Sequence, residues 1–404
     1  MNTTSNPGSS PKNICLITDS YWPLVGGLEQ WVHSIGANLS KKSSASIITH
    51  TCGPKRNSIF LSSLFFVKGE KDLDDSGNPI IMLMPSFLGR IILLPLVLWY
   101  LPLARRFCPE RLFDFLFIFY RTAFLRRLHA LLKNADIVHS FSTGYLGALA
   151  TKVCLANSIP IIHSPPVHFN KWGDTPLMLN SYARAAAIMC LSQAFKNDFI
   201  KRSPRAACEI VVIPAPVKKR PACNGPGPDI NHPFVLFLGR REEHKGVNTL
   251  VSAFEKVSCR SWLVVAGPGK PLASADQSIV DVGIVDELTK HRLLENCDIF
   301  CVPSRDESFG IVYAEAMMHS KPVVALDVAP VNEIVINGVT GLLVHPGRED
   351  LLADALNTLL ANPEKRKEMG TRGYERYCDL FEEGVVMKKI TDLYERVLRL
   401  SPSA

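Results

Sequence analysis

The residues best suited to chemistry lie where the apolar run DIFCV (298–302) gives way to PSRDESFG (303–310) and then to the helix-forming IVYAEAMM (311–318). Strand, tight turn and helix start are predicted in that order, with Ser308 as N-cap and Phe309 opening the helix. Amides at a helix N-terminus, at the positive end of its dipole, suit a phosphate or sugar oxygen. Glu307 falls in the turn, and Glu315 follows six residues after Phe309, about 9 Å along the axis at about 1.5 Å per residue. Two carboxylates so placed can grip two parts of one elongated ligand. Glu315 stands among apolar residues, where an ionised carboxylate costs several kcal/mol to bury unless something hydrogen-bonds it. A ribose diol would serve, and so would a structural ion pair.

A second cluster, FLGRREEHKG (237–246), ends another apolar run. Gly239 allows backbone to approach a ligand, and Arg240 and Lys245 place two cations at a strand's carboxyl end. Fixed cations and helix-end amides can stabilise a departing diphosphate in place of a metal ion. Gly26 and Gly27 follow the first apolar run and also permit close approach. His163 and His168, in PIIHSPPVHF, stand at another strand end and are candidates to face the same ligand.

These groups need a scaffold, and the chain supplies alternating strands and helices. NICLITD, SASIITH, IIMLMP, DIVHSFS, PIIHSPP, AAIMCLS and EIVVIP precede a Pro- and Gly-rich break at 218–233. FVLFLGR, WLVVAG, IVDVGIV, DIFCVPS, PVVALDV and GLLV follow it. Strands alternating with helices predict parallel sheets covered on both faces. At 404 residues two domains are expected. The divisions are a disordered leader at 1–12, a domain at 13–220, a linker at 221–233, a second domain at 234–384 and a last helix at 385–404.

Apolar residues make up 47% and charged residues 21% of the chain, as in a globular protein. Residues 1–220 hold 25 Lys and Arg against 12 Asp and Glu, a balance of 25 − 12 = +13, so the remainder of the net +7 is 7 − 13 = −6. A basic front half suits an anionic partner. No nucleic-acid recognition motif is present, and nucleic acid is not expected. Ile91–Ala104 is apolar but only 14 residues long. A helix of that length rises roughly 21 Å, short of a bilayer core of about 30 Å. The arginine-spaced RRFCPERLFDFLFIFYRTAFLRRLHALL follows, suiting either a helix lying in a membrane interface or a core helix with a basic face. The eleven cysteines include no CxxC pair and fit a reducing compartment. The polar start MNTTSNPGSSPK is not that of a signal peptide. A cytoplasmic protein is expected, with the cytoplasmic face of a membrane left open.

With these motifs in order, the chain resembles glycosyltransferase family 4. GGLEQWVHSIGANL resembles that family's Gly-Gly-x-Glu opening, and GRREEHKG its Gly-Arg…Lys-Gly phosphate loop. ESFGIVYAE followed by AMMHSKPVVA resembles its Glu-x7-Glu signature. The likeness is dense across 234–345, patchy in 13–50 and 136–217, and weak in 51–135. It implies the α/β GT-B fold: two Rossmann-like, doubly wound parallel-sheet domains facing a central cleft, acceptor in the first and nucleotide sugar in the second. The implied reaction is retaining transfer of a hexose-type sugar from a nucleotide diphosphate sugar to a glycan or lipid-linked acceptor, by front-face attack without metal or other cofactor. By resemblance Arg240 and Lys245 hold the diphosphate, Glu315 the ribose and Glu307 the sugar hydroxyls. Amides near Phe309, Gly310 and Ile311 assist, Val285 ends the base-contacting strand, and Gly26, Gly27 and Gly239 line the donor. His168 matches the family's first-domain histidine. The catalytic set is then Glu307, His168, Arg240 and Lys245, and the last helix crosses back to the first domain.

Other classes fit less well. An epimerase or phosphorylase of the same fold would lack this Arg…Lys and Glu-x7-Glu set. A nicotinamide dehydrogenase needs a glycine fingerprint, yet Leu272 stands where Gly267-Pro268-Gly269 should be followed by glycine or alanine. The Asp-x-Asp run at Asp72–Asp75 leads into Ser-Gly-Asn-Pro and reads as a solvated turn rather than a metal site. A non-catalytic membrane-associated protein would bind no nucleotide.

Overall fold

The computed structural model describes residues 11–21, 26–41, 43–52, 71–94, 110–166, 173–203, 208–220, 233–272 and 276–400. The chain forms two compact units: unit 1 is Met1–Leu191, Phe195–Ile213 and Met387–Ala404, and unit 2 is Ser192–Ala194 and Pro214–Val386.

Unit 1 contains β1 (Asn13–Tyr21), β2 (Ser44–Cys52), β3 (Lys71–Leu73), β4 (Pro79–Met82), β5 (Ile137–Ser140), β6 (Ile161–His163), β7 (Ala187–Cys190) and β8 (Glu209–Val212). Their order in the sheet is β3-β4-β2-β1-β5-β6-β7-β8. Every neighbouring pair is parallel except β3 on β4. The helices are α1 (Gly27–Leu39), α2 (Phe87–Ile92), α3 (Glu110–Leu132), α4 (Tyr145–Ala156), α5 (Pro176–Tyr182) and α6 (Gln193–Arg202). The central strand β7 is buried on both faces, which explains its unbroken apolar sequence. Leu116, Tyr120, Phe124, Leu128 and Leu132 recur at helical spacing, and this inward stripe of α3 joins the core.

β3 falls in a stretch whose turn formers hide it. The turn after it, expected to be solvated, is anchored instead: Asp74 is buried and accepts from Tyr21 Oη at 2.9 Å, Asn78 N at 2.8 Å and Asn78 Nδ2 at 3.0 Å. One carboxylate thereby fixes the hairpin to β1.

Unit 2 contains β9 (Phe234–Leu238), β10 (Trp262–Ala266), β11 (Ile279–Gly283), β12 (Ile299–Val302), β13 (Val323–Leu326) and β14 (Gly341–Val344). The order is β11-β10-β9-β12-β13-β14, all parallel. The helices are α7 (Val247–Phe254), α8 (Glu287–Asn296), α9 (Ile311–Met318), α10 (Val331–Ile334), α11 (Glu349–Leu360), α12 (Pro363–Leu380) and α13 (Glu383–Leu400). Residues 214–220, placed before the linker on sequence grounds, pack in unit 2. Val217 N donates to Phe381 O at 2.8 Å, and Tyr377 Oη donates to Val217 O at 3.1 Å. Residues 221–232 of the expected linker lie outside the described residues. From Met387 onward α13 belongs to unit 1, where Tyr394 Oη lies 2.6 Å from His139 Nδ1 and Arg396 pairs with Glu209 at 3.0 Å.

The strand order reverses beside β1 in unit 1 and beside β9 in unit 2. In open α/β sheets, ligands bind at the carboxyl ends of strands at such a reversal. The loops after β9 and β12 are GRREEHKG and PSRDESFG, so two motifs distant in sequence meet at one place in the fold.

Among the described residues, unit 1 buries three imidazoles. His50 lies between Leu83 O and Tyr120 Oη, His139 between Tyr394 Oη and Ser164 Oγ, and His163 Nε2 sits 2.8 Å from Thr151 Oγ1. Burial pushes their pKa values down, to about 4 for His50 and about 3 for His139 and His163. The unfolded chain therefore binds more protons than the folded one between those values and about 6.5. Stability should be fully retained above about pH 6.5 and fall on acidification, by about 1.4 kcal/mol per pH unit for each imidazole. Urea unfolding between pH 7 and 4 is expected to show this slope, and His139→Gln should reduce it by one proton's worth. A pH-independent unfolding energy in that range would contradict the assignment.

Candidate active site

The loops after β9 and β12 are sewn together through backbone. Arg305 N donates to His244 O at 2.8 Å, and Ser304 Oγ donates to the same carbonyl at 3.3 Å. Gly246, at φ 75°, lies so close to β12's continuation that an added Cβ would sit 2.3 Å from Pro303 O. This closeness brings Lys245 to Glu307: Nζ donates to Oε1 at 2.7 Å, with only 17% and 7% of the side chains exposed. Arg240 points outward and pairs with Glu242 at 2.7 Å. Gly239 N donates to Ala266 O, and a side chain at Gly239 would meet only the Phe237 ring, at 3.8 Å.

Arg241 braces the loop. Its guanidinium is almost wholly buried, forms a two-pronged ion pair with Asp281 and donates to Lys270 O at 3.0 Å. Asp281 also accepts from Leu272 N and Gly283 N, both at 2.9 Å. Burial alone would raise its pKa, but these donors outweigh it and hold the carboxyl below the usual carboxylate range. The loop 267–272 and the end of β11 are thus fixed around one carboxylate. Val285 follows that strand end, half-buried, two residues before α8.

α9 opens at Ile311, two residues later than its sequence suggests. Its N-cap is Gly310 at φ 95°, not Ser308, and no side chain caps it. The first-turn amides, including that of Ile311, have no partner within the helix. Phe309 is a core residue, edge-on to Phe381 at 6.0 Å between ring centroids, so only its backbone is suited to a ligand. The later start leaves Glu315 four residues into the helix, about 6 Å along the axis.

The burial of Glu315 is solved by Lys290 of α8. Lys290 Nζ donates to Glu315 Oε1 at 2.8 Å and lies 2.9 Å from Glu287 Oε2, with about a tenth of Lys290 and Glu315 exposed. Burial alone would lower the lysine's pKa, but the two carboxylates outweigh it and raise it. His291 Nδ1 and His319 Nε2 lie 3.0 Å apart alongside, both pushed down to about 4 by burial. They are neutral at pH 7.

In unit 1 the carboxyl end of β1 has its own polar cluster. Ser20 Oγ donates to Glu29 Oε1 at 2.6 Å, and Glu29 Oε2 occupies the space that a Cβ on Gly26 would need, 2.3 Å away. Gly27 is the first residue of α1, with Glu29 in its first turn, where the dipole favours a carboxylate. Asp19 accepts from Ser142 Oγ at 2.7 Å and Thr143 N at 3.3 Å, and burial raises its pKa despite them. His163 is completely buried and edge-on to Tyr182, a core group rather than one open to a ligand. His168 lies outside the described residues.

Comparison with known proteins gives the family. The family model described as glycosyl transferases group 1 matches residues 225–376, and that of Glycosyltransferase Family 4 matches 77–219. An uncharacterized glycosyltransferase of Methanocaldococcus jannaschii is 30% identical over 266 residues, 60% of this chain and 70% of the relative. The chain belongs to glycosyltransferase family 4. The alpha-maltose-1-phosphate synthase of Mycolicibacterium smegmatis is 33% identical over 192 residues, 42% of this chain and 50% of the synthase, so the chain matches half the length of that curated relative. Among solved structures, Anabaena HepE in complex with UDP-glucose aligns with a TM-score of 0.69 at 17% identity, covering 95% of this chain and 100% of HepE. At that identity the likeness speaks for the fold, which is GT-B.

In this glycosyltransferase, the sequence motifs point to Glu307, Lys245 and Glu315 but not to the groups that hold them. Arg241 is hidden by its neighbour Arg240. Lys290 carried one signal, its place three residues after Glu287 on α8, but nothing in the sequence ties α8 to α9. Breaking a buried pair by removing one partner costs about 3–5 kcal/mol, whereas replacing both by apolar residues is often neutral. Lys290→Met is therefore expected to lower the unfolding free energy by about 3 kcal/mol in urea, and Lys290→Met with Glu315→Met to regain most of it. Equal losses in the single and double variants would show that the pair is not what matters.

Proposed function

We propose that this family 4 glycosyltransferase transfers a hexose-type sugar from a nucleotide diphosphate sugar to a glycan or lipid-linked acceptor, with retention of configuration. The observation that carries this reading is the Lys245–Glu307 pair, a cation and a carboxylate held 2.7 Å apart beside the uncapped start of α9. The UDP-glucose bound by HepE supports a nucleotide sugar as donor. Lys245 and Arg240 face the diphosphate, with the amides of Phe309, Gly310 and Ile311 on its oxygens. Glu307 takes the sugar hydroxyls and Glu315 the ribose, exchanging part of its bond to Lys290 for the diol. Val285 lies beside the base, and Gly239 gives close approach to the donor.

In the proposed step the acceptor oxygen attacks the anomeric carbon on the face that the diphosphate leaves. The bond from that carbon to the phosphate oxygen breaks with its electron pair going to phosphate, and the acceptor's proton passes to the departing oxygen. No side-chain nucleophile is needed. The demand is for alignment and for stabilisation of developing negative charge, which fixed cations and amides meet without a metal ion.

A thermal-shift panel of uridine, guanosine and adenosine diphosphates and their sugars tests this, with and without chelator. A nucleotide at 100 times its dissociation constant adds about 2.7 kcal/mol to the folded state. One nucleotide should stabilise the wild type, chelator should not matter, and Glu315→Ala should lose most of the shift. In a transfer assay Lys245→Ala should lower kcat by about a hundredfold or more. Absence of any nucleotide shift, or an inverted anomeric product, would overturn the proposal.

A further inference from the structure

α2 and α3 of unit 1 present an apolar surface that the transfer chemistry does not use. On α2, Phe87 and Leu88 are 78% and 70% exposed, and Ile91, with Leu94 just beyond the helix, is about half exposed. On α3, Phe115, Ile118 and Leu125 are exposed. With Thr122 and Arg126 they fall within a sector of about 100° at 100° per residue, opposite the core stripe. The two helices are packed together. A Cβ on Gly89 would sit 3.6 Å from the Ala123 methyl, and Arg127 Nη1 donates to Met84 O at 3.0 Å. The apolar side chains of α2 therefore flank the α3 stripe and form one patch with it. Solvated monomers seldom leave so many large apolar side chains together.

Positive charge predominates around this patch, with Asp114 of α3 half-buried at its edge. Arg121 and Arg126 are exposed on α3, and Arg90 lies within α2. No Asp or Glu occurs between Ile80 and Leu94 or between Phe115 and Lys133. We infer that this face of α2 and α3 lies on the surface of an anionic lipid bilayer, its aromatic and aliphatic side chains entering the headgroup boundary and its arginines meeting lipid phosphates. Apolar burial and cation–phosphate attraction act together at such an interface. A second copy of the chain is a poorer occupant, because a two-fold contact would set these arginines against one another. Among the described residues no helix is long and apolar enough to cross a membrane, so the contact is peripheral.

Flotation of the full chain tests this without donor or acceptor, using vesicles of phosphatidylcholine alone and of phosphatidylcholine mixed with phosphatidylglycerol. The chain should float with the anionic vesicles and not with the neutral ones. Raising salt from about 0.1 M to about 1 M, which shortens the screening length from about 10 Å to about 3 Å, should release much of it. Phe87→Ser with Leu88→Ser, and separately Arg121→Glu with Arg126→Glu, should each weaken partitioning about tenfold or more. Circular dichroism and melting temperature should not change, since these side chains are exposed. The inference falls if the wild type ignores anionic vesicles or if both double variants float as it does. It also falls if the serine variant turns a dimer into a monomer while flotation is unchanged.

Discussion

Two carboxylates eight residues apart are held mostly out of water in unit 2, each on the ammonium group of one lysine, and the surrounding structure follows from that requirement. An unpaired buried carboxylate would be strongly destabilising. Each pair therefore demands that a second segment be brought to a fixed place. For Glu307 that segment is the loop after β9, sewn to the loop after β12 by Arg305 N and by the absence of a side chain at Gly246. For Glu315 it is α8, whose Lys290 is shared with Glu287. The first pair exists because the strand order reverses at β9, setting β9 and β12 side by side. Lysine is well suited to this: a compact charge on a flexible stem reaches a carboxylate without moving backbone.

Much of this was legible in the residues and some was not. Strands buried on both faces announce themselves as apolar runs, so β9, β10, β12 and β13 were plain. The motif residues at their ends could be named because glycine, cations and carboxylates interrupt those runs abruptly. Strand order cannot be read that way, since period and composition describe an element and not its neighbour. Lys290, Arg241 and Asp281 were therefore missed: each matters through a partner 25 or 40 residues away. The start of α9 was misjudged because Ser308 is a better capping residue than Gly310 by preference alone. The left-handed backbone at Gly310 and the burial of Phe309 decided it. β3 was hidden for the opposite reason, its short edge strand lying in a stretch of turn formers that Asp74 fastens to Tyr21.

Unit 1 repeats the logic with different chemistry. Its strand order reverses beside β1, and the carboxyl end of β1 meets the loop after β5 there through Asp19, Ser142 and Thr143. Glu29 is held by Ser20 over Gly26, so the Gly-Gly-x-Glu motif has a local structural meaning: the missing side chain makes room for the carboxylate. Where unit 2 pairs its acids with lysines, Glu29 accepts from the Ser20 hydroxyl, and Asp19 from the Ser142 hydroxyl and the Thr143 amide. Neutral donors offset burial less than a cation does, and the Asp19 carboxyl is pushed up accordingly.

The two faces of α3 show how one helix can serve core and surface at once. Its buried stripe of Leu116, Tyr120, Phe124 and Leu128 is spaced to pack into the core, where Tyr120 meets His50 of β2 and Tyr145 of α4, and this spacing fixes the rotation of the helix about its axis. Once that rotation is fixed, the remaining apolar residues cannot be turned inward. Phe115 and Ile118 stay in solvent because Leu116 and Phe117 already hold the core positions, not because packing is incomplete. A helix selected for packing alone would carry polar residues there, as the outer face of α12 does with Glu364, Lys367, Glu368 and Thr371. The contrast between these two long helices of one chain makes the composition of α3's outer face a property of that surface rather than of helices in this fold.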